Sequence, residues 1–159
     1  MSKNKFDIKT YIPGKIICVG MNYHSHVKEQ DGRFPKKPVL FAKSSNSVIK
    51  NGENIIYPSQ TKELDYEVEL AVVIDRKMKN ISENKVILND ITGRDLQKEE
   101  GQWFRAKSID TFAPIGPVIV PKSEIEDPQN LWLKSYVNDE LRQDSKTDDM
   151  IFKVFELIS

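Results

Sequence analysis

Apolar positions along this chain come in short runs and alternations, and few stretches have the length or spacing of a helix. Lys15 to Gly20 is an apolar run that opens into a loop at Gly20, which predicts a short buried strand. Tyr23 to Gln30 fits a short helix ending before Asp31-Gly32. Pro38 to Lys43 is a second apolar run, bounded by proline and serines. Ser47 to Ile49 and Asn54 to Tyr57 flank Lys50-Asn-Gly-Glu53, whose Asn-Gly pair predicts a hairpin. Tyr66 to Asp75 is the clearest strand: Val, Leu, Ala and Ile alternate with Glu67 and Glu69 before the run turns continuously apolar. Val86 to Leu88 predicts another short strand, and Thr92 to Glu100 a helix. Ala113 to Val120 reads as a strand that Pro114 and Pro117 place at an edge or a bend. Leu131 to Val137 and Glu140 to Gln143 flank Asn138-Asp139, a two-residue hairpin turn, and Asp148 is placed to cap a helix from Asp149 to the last residue. Strands outnumber helices without regular alternation, so the expected class is mostly β (α+β), a mixed sheet with a few short helices.

At 159 residues, 38% hydrophobic and 30% charged, the chain can bury one core, and a single domain is expected. Its eight prolines and seven glycines are scattered, so they punctuate strands and mark no linker. Lys plus Arg and Asp plus Glu both number 24, so nothing draws the molecule as a whole to nucleic acid or anionic lipid. Any charge-driven function is local. Cys18 has no intrachain partner, which suits a reducing compartment, with a cytoplasmic protein as the expectation. It reads as a small buried apolar residue. Met1 to Tyr11 lacks the apolar stretch of a signal peptide, and no segment is long enough to span a bilayer.

Side chains alternate faces along a strand, which sends Glu67 and Glu69 to the same side, about 7 Å apart. Either that side faces water, or it is recessed and the repulsion calls for a cation, for which all-oxygen ligands favour Mg²⁺, Mn²⁺ or Ca²⁺. Asp90 follows the next short strand, as a ligand or as an N-cap for the helix near Thr92. Arg94 and Asp95 read as a local ion pair or as helix-surface charges. His26 and Glu29, three apart, share a helical face, as a solvated surface pair or as a base held in one tautomer and able to take a proton from water. Lys107 lies in an aromatic and apolar neighbourhood, where it either snorkels to solvent or binds a carboxylate or enolate oxygen. There is no Gly-rich phosphate loop, no zinc-type Cys/His spacing and no serine nucleophile elbow.

The order of these elements resembles the fumarylacetoacetate hydrolase family. The resemblance rests on Ile16-Ile-Cys-Val-Gly-Met-Asn-Tyr23 with His26 and Glu29, Pro38-Val-Leu-Phe-Ala-Lys43 and Asp65-Tyr-Glu-Val-Glu-Leu-Ala-Val-Val-Ile74. It continues through Asn89-Asp-Ile-Thr-Gly-Arg-Asp-Leu-Gln97, Ala106-Lys-Ser-Ile-Asp-Thr-Phe112, Gly116-Pro117, Val137-Asn-Asp-Glu-Leu-Arg-Gln143 and Met150-Ile-Phe152. The resemblance implies a rolled mixed β-sheet and a homodimer. It implies Mg²⁺ or Mn²⁺ on Glu67, Glu69 and Asp90, with Lys107 against the substrate's oxygens and Arg94 and Gln97 supporting the site. His26 and Glu29 match a pair that activates water in the hydrolytic members.

The implied reaction is hydrolysis or decarboxylation of a small 2-oxo or 1,3-dioxo acid, such as an acylpyruvate or oxaloacetate, through a metal-stabilised enolate. The alternatives are an isomerase or tautomerase of 2-hydroxy-diene-dioates and, from other classes, an inactive scaffold module or a calcium-binding β domain. Two departures stand out. The connection from the Ile81-Ser82 turn into Val86 looks clipped, and Ser159 falls before the Thr-Gly-Thr-Pro segment and closing strands of the family. Residues 1–14 are thus expected to be a lead-in, and 15–159 a catalytic domain lacking its C-terminal portion, with uncovered sheet edges.

Overall fold

The computed structural model describes residues 6–7, 12–30, 32–74 and 83–159. Most of the lead-in, the Asp75 end of the clearest strand and the Ile81-Ser82 turn lie outside the described residues. Eleven strands are described, with four short helices. Phe6–Asp7 (β1), Ile16–Gly20 (β2), Val39–Lys43 (β3) and Val48–Lys50 (β4) precede Leu64–Asp65 (β5), Val68–Ile74 (β6) and Glu83–Asn89 (β7). Thr92–Gly93 (β8), Ala113–Val120 (β9), Trp132–Val137 (β10) and Glu140–Lys146 (β11) follow. The helices are His24–Glu29 (α1), Arg94–Glu100 (α2), Phe104–Lys107 (α3) and Val154–Leu157 (α4). The mostly β, mixed-sheet expectation holds.

The main sheet has the order β1-β9-β7-β6, with β4 running parallel to β9 and every other pair antiparallel. Strand β9 is therefore interior to the sheet, which corrects the edge placement drawn from its prolines. The ladder makes room for them. β4 pairs with Ala113 to Ile115 and β1 with Val118 and Ile119, so Pro117 falls where one neighbour gives way to the other. The Gly116-Pro117 bond there is cis, opposite a register shift in β7. Leu88, Ile115 and Ile119 form the buried cluster between β7 and β9, against which Ile16, Val48, Ala71 and Val73 pack.

Two further expectations need correction. Asn54 to Tyr57 forms no strand, because after the turn closed by Glu53 N–H to Lys50 O (3.1 Å) the backbone of Ile56 donates to Thr111 Oγ1 (2.9 Å). The parallel partner β9 then takes the β4 edge that a hairpin would have used. Nor does a helix run from Asp149. Asp149 Oδ2 accepts hydrogen bonds from Ser25 N (2.9 Å) and Ser25 Oγ (2.7 Å), and Met150 bridges to Tyr23. Asn22 completes this clamp, accepting from Phe152 N (2.8 Å) and donating to Phe152 O (3.0 Å). Asp149 instead ends a 3-10 turn (Thr147–Asp149), bonds from Asn22, Tyr23 and Ser25 hold the residues after it, and a helix of only four residues follows. The Asn138-Asp139 turn, by contrast, forms as read: both residues have positive φ (51° and 65°), the geometry of a tight type I′ hairpin.

The β2-β3 pair lies beside the main sheet, and between them is a cavity of about 630 Å³ whose wall includes Cys18, Glu69, Leu70, Val72, Asp90 and Ile115. At its margin Ile17 and Leu40 are exposed (68% and 63%), and β6 ends the strand order. Among the described residues no helix is long and apolar enough to cross a membrane.

Phe112 is completely buried, at the corner where the chain enters β9. Phe112→Ala is expected to lower the unfolding free energy by about 3–5 kcal/mol, whereas Leu141→Ser on the exposed hairpin changes it by less than about 0.5 kcal/mol; denaturant titration measures both.

Candidate functional site

The site begins with the way β3 ends. Burial alternates along it, with Leu40 and Ala42 outward and Val39, Phe41 and Lys43 inward, so a lysine continues an apolar phase into the protein. Phe41 meets the Trp103 ring edge-on at 5.3 Å. That ring packs so closely on Gly20 that any side chain there would collide with it. Trp103 in turn starts α3, and its carbonyl accepts from Lys107 N (3.0 Å). Lys107 Nζ thus hangs 5.1 Å over the Phe41 ring, nearly excluded from solvent. This rules out a snorkelling lysine.

The carboxylates arrive from two strand junctions stitched together through the backbone. Asp90 N donates to Glu67 O (2.8 Å), Glu67 N to Asn89 Oδ1 (3.0 Å) and Ile91 N to Phe112 O (3.1 Å). Asp90 does not cap α2, whose N-cap position is Gly93. Its two oxygens are used instead: Oδ1 accepts from Lys43 Nζ (2.5 Å) and Oδ2 from Lys107 Nζ (2.7 Å). Lys107 also donates to Glu67. Arg94 is not paired with Asp95. Its Nη2 donates to Glu67 Oε1 (2.6 Å), its Nε to Asp65 Oδ2 (2.7 Å) and its Nη1 to Gln97 Oε1 (2.9 Å). Asp95 turns away to Thr61 Oγ1 and to Lys62 N.

Glu67 precedes β6 and Glu69 lies within it, and neither faces open water. Their fates differ. Burial alone would raise Glu67, but the Lys107 ammonium and the Arg94 guanidinium overrule it and hold the carboxyl well below the usual range. The Glu69 side chain forms no hydrogen bond or ion pair among the described residues, and burial followed by repulsion from Glu67 and Asp90 pushes it up to about 8. Burial lowers Lys43 despite Asp90, whereas Asp90 and Glu67 more than offset the same penalty on Lys107. The thiol of Cys18, on the same cavity wall, is pushed up to about 12 by burial and then by Asp90, so it carries no thiolate.

The structure therefore gathers Glu67, Asp90, Lys107, Arg94 and Gln97, with Glu69 alongside. It does not bring His26 and Glu29 to them. Those two are 3.9 Å apart (Nδ1 to Oε2) on exposed α1, and His26 Nε2 lies 3.1 Å from Gln30 Nε2. The cavity wall includes Asn22 and Tyr23 but neither member of the pair. Two site members escape a reading of the sequence. Lys43 shows itself only through the inward phase of β3, and Asp65 only as the first of the alternating acids Asp65, Glu67 and Glu69.

Among the described residues, no three carboxylate, imidazole or thiol groups stand close enough together to grip a metal ion, since Lys107 occupies the place between Glu67 and Asp90. The donors still suit a hard divalent ion: they are all oxygens, and Glu69 is a recessed carboxyl with no cation of its own.

Known proteins resemble this chain in sequence and in fold. The chain is 44% identical over 156 residues to the oxaloacetate tautomerase Fahd2a, mitochondrial, of Rattus norvegicus, covering 92% of this chain and 50% of that protein. The 5-carboxymethyl-2-hydroxymuconate delta-isomerase of Mycobacterium smegmatis superposes with a TM-score of 0.81 at 35% identity, over 92% of this chain and 61% of that one. A fumarylacetoacetate hydrolase from psychrophilic Exiguobacterium antarcticum gives 0.82 at 39% identity, over 93% and 57%. The chain spans about half to three fifths of the length of these proteins. The family model described as Fumarylacetoacetate (FAA) hydrolase C-terminal matches residues 15–159, and the chain belongs to the fumarylacetoacetate hydrolase family.

Proposed function

We propose that the cluster around Asp90 serves proton migration, a keto–enol tautomerisation or double-bond isomerisation, on a small 2-oxo dicarboxylic acid held at Mg²⁺ or Mn²⁺. The observation that carries this reading is the Lys107 ammonium fixed between Glu67 and Asp90, beside a Glu69 that has no counter-charge. Relatives named as a tautomerase and an isomerase support it.

Glu67, Glu69 and Asp90 would hold the ion, which when bound supplies Lewis-acid polarisation of the 2-oxo group. The chain's own groups do the rest. Lys107, released from its carboxylates, donates to the oxygen that gains negative charge as a proton leaves the neighbouring carbon. Arg94 and Gln97 keep Glu67 oriented while Lys107 moves, because the guanidinium grips Glu67 independently of the ammonium. The burial of Lys107 and Glu67 lowers the local dielectric and strengthens both contacts. The proton leaves carbon and ends on oxygen, or on a carbon further along the conjugated chain, and no water is consumed.

Hydrolysis, the first expectation from the sequence, is the second reading. It is favoured by the His26–Glu29 contact and by likeness to a solved hydrolase, but it needs that exposed pair to reach the cluster.

Mg²⁺ and oxalate together, the latter a mimic of a chelating enolate, are expected to raise the melting temperature, with a stabilisation of about 2.7 kcal/mol at one hundred times Kd. Glu69→Gln is expected to abolish that gain and still fold, because the wild-type carboxyl already favours its neutral form near pH 7 and has no partner to lose. A folded protein that gains nothing from the two ligands points to a scaffold. In a tautomerase assay on oxaloacetate, Lys107→Met is expected to lose roughly 10²–10³-fold in kcat, with circular dichroism confirming the fold. His26→Ala is expected to retain tautomerisation; equal losses in the two variants would mean that water activation is part of the reaction.

A further inference from the structure

The two oxygens of Asp90 are held by different kinds of lysine. Lys107 divides its ammonium between Asp90 Oδ2 and Glu67, at the end of a four-residue helix. Lys43 gives its ammonium to one carboxylate only, Asp90 Oδ1 at 2.5 Å, and to the adjoining Ile91 carbonyl at 3.2 Å. The Lys43 side chain has no solvent exposure at all. Its backbone is fixed as well: Lys43 pairs with Ile16 across the β2-β3 ladder, and the next residue, Ser44, donates its N–H to Ser108 Oγ (3.0 Å). On the other side, the Asp90 backbone is bonded to Glu67 O. Neither end of the Lys43–Asp90 contact is free to drift, and a charge-assisted hydrogen bond with both partners excluded from water is among the strongest contacts a side chain makes.

We propose that Lys43 keeps Asp90 a one-oxygen ligand and thereby makes the site select a small octahedral divalent ion over calcium. This rests on the reading that Glu67, Glu69 and Asp90 hold a divalent ion. Calcium favours six to eight oxygens at longer range and commonly takes both oxygens of one carboxylate, whereas Mg²⁺ and Mn²⁺ favour six ligands and accept single oxygens completed by water. With Oδ1 committed to Lys43, the oxygen Asp90 would turn towards an ion is Oδ2, once Lys107 has left it. The carboxylate that lies deepest in the cluster is therefore denied the two-oxygen grip that calcium exploits. Lys43 is a positioning residue: it touches neither ion nor substrate, and it acts by leaving one oxygen of Asp90 available.

Titration calorimetry of Mn²⁺ and Ca²⁺ into wild type, Lys43→Met and Lys43→Arg tests this without any activity measurement. Wild type is expected to prefer Mn²⁺, and Lys43→Met to lose roughly ten-fold of that preference, the scale of one added oxygen ligand. The ratio is the readout because removing a positive charge strengthens both ions together. Lys43→Arg is expected to keep the wild-type ratio, since its guanidinium still occupies Oδ1. An unchanged ratio in folded Lys43→Met, or an equal shift in both variants, overturns the role of Lys43 and leaves the metal reading standing. A wild type that binds neither ion overturns both. If Lys43→Met does not fold, ¹⁵N-lysine NMR of the wild type decides. The protected ammonium signal that is missing from Lys43→Arg is expected to persist when Mn²⁺ is replaced by diamagnetic Mg²⁺ at saturation, and its disappearance on Mg²⁺ binding overturns the proposal.

Discussion

Charge compensation away from water is the constraint on which the rest of this structure depends. Lys43, Lys107 and Arg94 face Asp65, Glu67 and Asp90 through ion pairs in which each of the six has a named partner. Lys43, Lys107 and Asp90 are nearly excluded from solvent, and removing one partner from so buried a group typically costs about 3–5 kcal/mol, whereas the partly exposed Arg94–Asp65 pair contributes less. Three positive charges meet three negative ones. Glu69 is left over, and the protein meets the surplus by favouring its neutral form. Burial raises Glu69 and lowers Lys43 by one mechanism acting on opposite charges, whereas the fully paired Lys107 and Glu67 remain firmly ionised.

That balance dictates the architecture. The six groups come from the end of β3, the β5-β6 junction, the β7-β8 junction, α2 and α3, separated by 17 to 47 positions in the contacts Lys107–Asp90 and Lys43–Asp90. No local element could assemble them. The interior strand β9 and its buried neighbours supply the rigid floor, and the Trp103 ring against Gly20 fixes the helix from which Lys107 hangs. By contrast α1, which carries His26 and Glu29, is joined to the body through Asn22, Ser25 and the Tyr23–Met150 bridge at its first turn, leaving its far end exposed. The fully buried Val27 anchors the middle of α1 to the core, so the helix differs from the cluster in turning its His26–Glu29 face outward.

What the sequence disclosed was what local chemistry determines. The Asn138-Asp139 turn was legible because two residues that tolerate positive φ suffice to specify it. Asn51-Gly52 gave the same signal and formed a turn, yet no hairpin followed, because a hydroxyl 55 positions away captured the Ile56 amide. Strand β9 looked marginal from its prolines, whose place at a change of neighbours depends on two other strands. Arg94 and Asp95 are adjacent and opposite in charge, yet each found a better partner across the fold. Lys43 was hidden for a related reason: a lysine closing an apolar run looks like a strand end reaching for water until its phase is compared with Val39 and Phe41. The compartment was read from a single cysteine, a count that cannot separate the cytosol from another reducing space such as that of the mitochondrial relative.

The same electrostatics constrain what can enter the cavity. Its wall is apolar along Leu70, Val72 and Ile115 and presents Glu69 and Asp90, two acids, at its polar end. Of the cations near that end, Lys43 and Lys107 are already paired with carboxylates, whereas Lys15 lines the same wall. For an acidic molecule to meet the buried ammonium, Lys107 would have to part from Glu67 and Asp90. On the proposed reading, a hard cation held by these carboxylates would compete with Lys107 for Glu67 and Asp90 and so favour release of the ammonium. Glu69, whose side chain has no ion pair among the described residues, is where such added positive charge would be accommodated at least cost.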